Sequence, residues 1–211
     1  MRRYNLPLLN AIIAAFTVGL CWGIIIPITS IILEGKAVST PVIGFTATAI
    51  FIGMAVSAPG VGGLIERYGI KAVLLSGISG SGVLMMTLAF FTSLPLWIIF
   101  RFFLGITFGA VIISSEVLIN RASTEENRGR NLGWYAFAFS FSLMSTPLAL
   151  WLVRFGIAVP FVLGGIACCA AACLITCTVP GMQNAPTEST FVPHLFKPVS
   201  YTHLRAHETV L

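Results

Sequence analysis

Six apolar stretches, at about residues 8 to 32, 42 to 64, 72 to 91, 96 to 119, 133 to 153 and 157 to 178, alternate with short polar gaps along the chain. Each is long enough to cross ~30 Å of hydrocarbon as a helix. A strand reading fails, because lipid offers no partner for open backbone amides and carbonyls. The pattern predicts an all-α membrane protein with six transmembrane helices. Pro27, Pro59 and Pro147 fall inside or near the ends of the first, second and fifth stretches, where a missing amide donor predicts a bend. Glycines recur within the stretches, notably Gly77, Gly80, Gly82, Gly105 and Gly109, and predict close helix contacts.

The gaps carry the basic residues, and these sort by side. With a cytoplasmic N-terminus, the inside holds Arg2, Arg3, Arg67, Lys71, Arg121, Arg128, Arg130 and Lys197, and the outside only Lys36 and Arg154. This asymmetry predicts that orientation. Trp97, Trp134 and Trp151 fall near predicted span ends, where indole rings anchor at the interface; Trp22 lies well inside the first span. The first apolar run is too long for a signal-peptide core and is expected to remain as a span.

At 57% hydrophobic and 9% charged residues, the chain has too little polar surface to cover a water-soluble globule. The lipid bilayer is its expected surround. A net charge of +5 then reads as topology, with no nucleic-acid partner expected. Cys168, Cys169, Cys173 and Cys177 share the last stretch, three of them spaced by four. With no histidine or acid nearby they read as small packing residues, and no metal or cofactor is expected. The chain has no Asp, no His before His194 and no Gly-x-Ser-x-Gly element, which argues against an intramembrane enzyme.

Gly62-Gly63-Leu64-Ile65-Glu66-Arg67-Tyr68-Gly69-Ile70-Lys71 is a charged, glycine-framed turn between the second and third stretches. Its Gly62, Leu64, Glu66, Arg67, Gly69 and Lys71 resemble the loop between the second and third membrane helices of the major facilitator superfamily. Glu66 stands for the commoner Asp, Ile65 for a small residue and Ile70 for a second basic residue. Arg101-Phe102-Phe103-Leu104-Gly105 resembles the superfamily's fourth-helix pattern, with Leu104 where Arg or Gln is frequent. The fifth span keeps only Thr146-Pro147 of the antiporter pattern. The resemblance covers roughly residues 8 to 180. It implies the N-terminal six-helix half of a secondary transporter that moves a small solute by alternating access, with proton coupling. It also implies a three-plus-three inverted repeat. Arg67-Tyr68-Gly69-Ile70 after the second span and Arg154-Phe155-Gly156-Ile157 after the fifth echo one another at corresponding places in such a repeat.

Candidate roles follow. The turn motif is expected to latch the inner side: Glu66 accepts hydrogen bonds at a helix N-terminus, and the basic residues hold a carboxylate. Otherwise its charges simply fix topology. Arg101, costly in hydrocarbon, faces a cavity or partner helix or snorkels outward; the resemblance implies a part in coupling, with Gly105 beside it. Glu116 reads as the one acid buried in a span, about 22 Å from Arg101 at 1.5 Å per residue, too far for a direct pair. It is expected to partner Arg67, Lys71 or Arg128, in the loop Asn127-Arg128-Gly129-Arg130, as an inner gate, or alternatively to carry protons. Asn10, Thr17, Trp22, Thr46, Thr107, Ser140 and Ser142 are candidate cavity-lining residues, each alternatively a packing group. Phenylalanines 100, 102, 103, 108, 137, 139 and 141 line a cavity or face lipid.

Residues 1–180 are thus read as the six-helix half and 181–198 as the start of a cytoplasmic linker. Residues 199–211, Val199 to Leu211, look like a translated sequencing adapter, so His203 and His207 are not taken as a metal pair. A further six-helix C-terminal half is expected in the natural protein. A six-helix channel or scaffold acting as a dimer is the alternative. The substrate is not legible.

Overall fold

The computed structural model describes residues 6–91 and 93–178. Arg2, Arg3, the linker and the tail with His203 and His207 lie outside the described residues. The chain runs α1 (Leu6–Gly35), α2 (Thr40–Tyr68), α3 (Ile70–Phe90), α4 (Leu94–Ala122), α5 (Glu125–Leu143), α6 (Thr146–Leu152), a 3₁₀ turn (Val153–Phe155) and α7 (Ala158–Thr178). Six helical spans are long and apolar enough to cross a membrane, the fifth being α5, α6 and the turn together. The described residues are all helix and connection, as the six apolar stretches predict.

The fifth span breaks where its sequence says it must. Pro147 has no N–H for the Leu143 carbonyl, four residues back, and Pro27 leaves the Gly23 carbonyl of α1 equally unpartnered. The Thr146 hydroxyl lies 2.9 Å from Gly23 O and 3.1 Å from Leu143 O, within reach of both. One hydroxyl thus stands where it can serve either of the carbonyls that the two prolines leave open.

Helices associate in lipid through close packing, since burial of apolar surface gains little there. Glycines supply the closeness. A methyl group at Gly105 would lie 3.1 Å from Gly53 Cα and strike the Ile50 carbonyl, so the α2 and α4 backbones touch. Gly19 packs on Ser142 and Phe139 of α5, and Gly82 on Cys168 and Gly165 of α7. The principal contacts, α2 with α4, α1 with α5, α3 with α4, α1 with α7, α3 with α7 and α1 with α4, map onto one another when spans one to three exchange with four to six. That is the contact pattern of a three-plus-three repeat.

The two echoing tetrapeptides carry the same backbone device. Gly69 has φ 85° and ψ 153°, Gly156 φ 138° and ψ 143°, and they are the two positive-φ glycines among the described residues. Side chains other than hydrogen avoid this region. Gly69→Ala and Gly156→Ala are each expected to lower stability by ~1–3 kcal/mol. Gly60→Ala, in open space on α2, is the control and should hold its melting temperature. Equal melting of all three in detergent would remove the strain argument.

Three expectations change. The motif from Gly62 to Lys71 is no loop: α2 continues to Tyr68, α3 starts at Ile70, and Gly69 alone makes the turn. Gly62 and Gly63 are helical and have nothing within 4 Å, so neither the turn nor a helix contact requires them. Asn127-Arg128-Gly129-Arg130 likewise belongs to α5, whose start is fixed by a capping box between Thr124 and Asn127. Trp97 is buried against the Phe91 carbonyl, while Trp134 and Trp151 remain exposed.

Candidate functional site

Three helical stripes converge in the half of the bundle nearest the α3–α4 connection. On α1 the stripe is Trp22, Ile25 and Thr29; on α2 it is Thr46, Ile50 and Gly53; on α4 it is Arg101, Gly105 and Phe108. Each follows the i, i+3 or i+4, i+7 spacing that shares a helix face. Gly53 and Gly105 bring α2 and α4 into backbone contact, which carries the Arg101 side chain to both neighbours.

Arg101 is 1% exposed. Its Nη1 donates to Thr46 Oγ1 at 2.6 Å, and its Nη2 donates to Ile25 O at 3.2 Å and to Thr29 Oγ1. One guanidinium therefore ties α4 to α1 and α2, a task suited to its rigid fork of donors. It does not snorkel. Its Nε is buried with no hydrogen-bond partner, and Arg101 has no carboxylate partner among the described residues. A charge held this way in a bilayer carries a desolvation cost that neutral hydroxyls and a carbonyl offset only in part.

One turn of α1 from this clamp stands Trp22. Its ring meets Phe51 at 5.4 Å, Phe139 at 5.8 Å and Phe108 at 6.4 Å between centroids, the first two edge to face. Aromatic side chains of α1, α2, α4 and α5 thus form one cluster. Trp22 Nε1 is buried without an acceptor. Phe51 is half exposed and Phe108 fully buried, so the cluster is open on its α2 side and closed beneath.

Other candidate lining residues are placed elsewhere. Asn10 accepts from Thr178 at 2.8 Å, between α1 and α7. Thr17 bonds Ile13 of its own helix and borders an apolar groove between α1 and α7. Thr107 accepts from Ser81 at 2.8 Å, toward α3. Ser142 is buried against Gly19, and Ser140 is exposed on α5. Thr46 is committed to Arg101.

At the opposite end of the bundle the charged groups are spread out. Glu116 is exposed rather than buried. It pairs with neither Arg67 nor Arg128. Glu66 is exposed, and Arg67 stacks over Tyr68 at 5.3 Å. Lys71 Nζ reaches Thr176 O at 3.5 Å, where a cation suits the C-terminal end of α7. Glu66, Arg67, Glu116 and Arg128 therefore share one end of the bundle without pairing with one another.

A family model described as Major Facilitator Superfamily matches residues 11–208, a stretch that reaches into the tail set aside above. The chain belongs to the Major Facilitator Superfamily. It is also 29% identical over 149 residues to a Bacillus subtilis (strain 168) protein named "Uncharacterized MFS-type transporter YfkF". The match covers 70% of this chain and 38% of that protein, so the chain spans well under two thirds of the relative's length. Membership of the superfamily, with six apolar helices, makes this a multi-pass membrane protein of a transporter family.

Reading the sequence missed Thr29, Phe51 and the close approach of Cys21 to Cys168, whose sulfurs lie 3.5 Å apart. Thr29 and Phe51 had a signal: each falls on or beside the stripe that carries Trp22 or Thr46. The cysteine pair had none, since a packing register between first and last spans is not written in either.

Proposed function

We propose that the chain is the N-terminal half of a secondary active transporter that moves a small solute by alternating access, coupled to protons. The reading places it in the cytoplasmic membrane with its N-terminus and central linker inside. The observation that carries it is superfamily membership combined with helix contacts that exchange under the three-plus-three repeat. The second and fifth spans bury the smallest share of their length, which supports a facing half resting on them. In this reading Gly62, Leu64, Glu66, Arg67, Gly69 and Lys71 form the inner latch with Glu116 and Arg128, completed by the facing half, and Arg101 with Gly105 sits in the coupling path.

The test is flux. A protein carrying both proposed halves, reconstituted in liposomes under an imposed proton gradient, is expected to show solute-dependent proton movement. Gradient-independent conductance from dimers of the six-helix chain would favour the channel reading. For the latch, Glu116→Gln is expected to raise labelling of cytoplasmic cysteine probes several-fold; unchanged labelling would remove Glu116 from it.

A further inference from the structure

We propose that the Trp22 cluster is the seat of the transported solute and that the solute is an amphipathic aromatic anion: a flat apolar body with an acidic group. The proposal rests on the transporter reading above and adds the substrate class.

Two independent features converge. The first is shape and surface. Trp22, Phe51 and Phe139 present ring edges and faces from three helices, Phe108 closes the floor, and the half-exposed Phe51 leaves one side open. Such a surface stacks a planar apolar body at little conformational cost.

The second is charge. Arg101 Nη2 lies 3.2 Å from the Ile25 carbonyl, and Ile25 is three residues from Trp22, a rise of about 4.5 Å along α1. A full positive charge thus sits about one helical turn from the aromatic cluster. Its neighbours are two hydroxyls and a carbonyl, all neutral. The chain has no Asp; of the glutamates among the described residues, Glu34 is exposed on α1 about 7.5 Å of helical rise beyond Thr29, and Glu116 is about 22 Å along α4 from Arg101. In a low-dielectric interior this positive potential is weakly screened and reaches the cluster. Of the buried polar atoms without a partner among the described residues, Trp22 Nε1 and Arg101 Nε belong to the cluster and its clamp, and both are donors. A cluster with unsatisfied donors and positive potential, and with no carboxylate in contact with Arg101 among the described residues, attracts an acceptor-rich anion and repels a cation. Occupancy would supply the missing counter-charge and relieve part of the cost of burying Arg101.

Three isosteric probes separate the contributions: 1-naphthoate, neutral 1-naphthamide and cationic 1-naphthylmethylammonium. Each is measured by equilibrium dialysis against the chain in lipid nanodiscs, with empty nanodiscs subtracted. The expected order is naphthoate over naphthamide by about tenfold, with the cation unbound. Arg101→Gln should erase that preference, and Arg101→Lys, which keeps the charge and loses the fork, should retain it. A purely structural arginine predicts that both variants fail alike. Trp22→Ala should weaken naphthoate and naphthamide equally, leaving their ratio intact. Equal or cation-favouring binding, absence of saturable naphthoate binding, or loss of the preference in Arg101→Lys overturns the proposal. Proton-driven flux of some other solute in the liposome assay would then leave the transporter reading standing, whereas absence of any coupled flux would remove that reading on its own.

Discussion

Gly105→Leu is expected to destroy the six-helix unit, read as loss of monodisperse protein from detergent extracts and as protease sensitivity in membranes. At this position even a methyl group meets the Ile50 carbonyl and approaches Gly53 Cα to 3.1 Å. The obstacle is main chain on both sides, so no rotamer change can accommodate the larger side chain. Overpacking a tight interface costs ~1–3 kcal/mol where side chains can yield, and here the helices themselves must part. Parting α2 from α4 also withdraws Thr46 from the Arg101 guanidinium, leaving a buried donor unmet. Gly60→Leu, where nothing lies within 4 Å, should extract normally. If Gly105→Leu proved as monodisperse and protease-resistant as the parent, the α2–α4 contact would not be what holds the fold.

In the proposed transporter, Arg101→Ala is expected to abolish gradient-driven transport while membrane insertion persists. The substitution removes hydrogen bonds from a charged group to α1 and α2, each worth ~1.5–3 kcal/mol. It also removes a desolvated charge whose burial was costly. Those two effects oppose one another in stability, so the folded protein should survive. They do not oppose one another in transport, where the relative positions of α1, α2 and α4 and the potential over Trp22 are both lost. Transport should fall at least ~100-fold, the equivalent of ~2.8 kcal/mol. Uptake or efflux at the parent rate, with equal protein in the membrane, would exclude Arg101 from the cycle.

Much of the fold was legible because the bilayer leaves few choices. A run of apolar residues must be helical, and its ends are set by where polar groups resume, so the six spans differ from expectation mainly at their ends. The break in the fifth span was signalled by Pro147, although the Thr146 hydroxyl within reach of its open carbonyl was not. The helical state of Ile65 to Tyr68 escaped the sequence reading because glycines and charges mark turns in water but are also tolerated where a membrane helix runs on past the hydrocarbon.

The candidate site was less legible because hydropathy says how deep a residue lies and nothing about which way it points. Asn10, Thr17 and Thr107 are polar, central and on the expected helices, yet they face α7 or α3. Glu116 has the sequence neighbours of a buried residue and the exposure of a surface one. Arg101 announced itself by its charge and by the fourth-helix pattern it opens, whereas Thr29 and Thr46 became meaningful only once α1 and α2 were seen to cross it. Orientation about the helix axis comes from packing, and packing here comes from glycine pairs on different helices.

The Thr146 hydroxyl, within 3.1 Å of both proline-orphaned carbonyls, has one hydrogen to give. It can serve Gly23 or Leu143, and whichever it leaves must find water or go without. The first and fifth spans therefore share a single proton as an either-or contact, so a bend deepening in one is felt as a vacancy in the other. Thr146→Val would cut that shared tether and leave each kink to relax independently of the other.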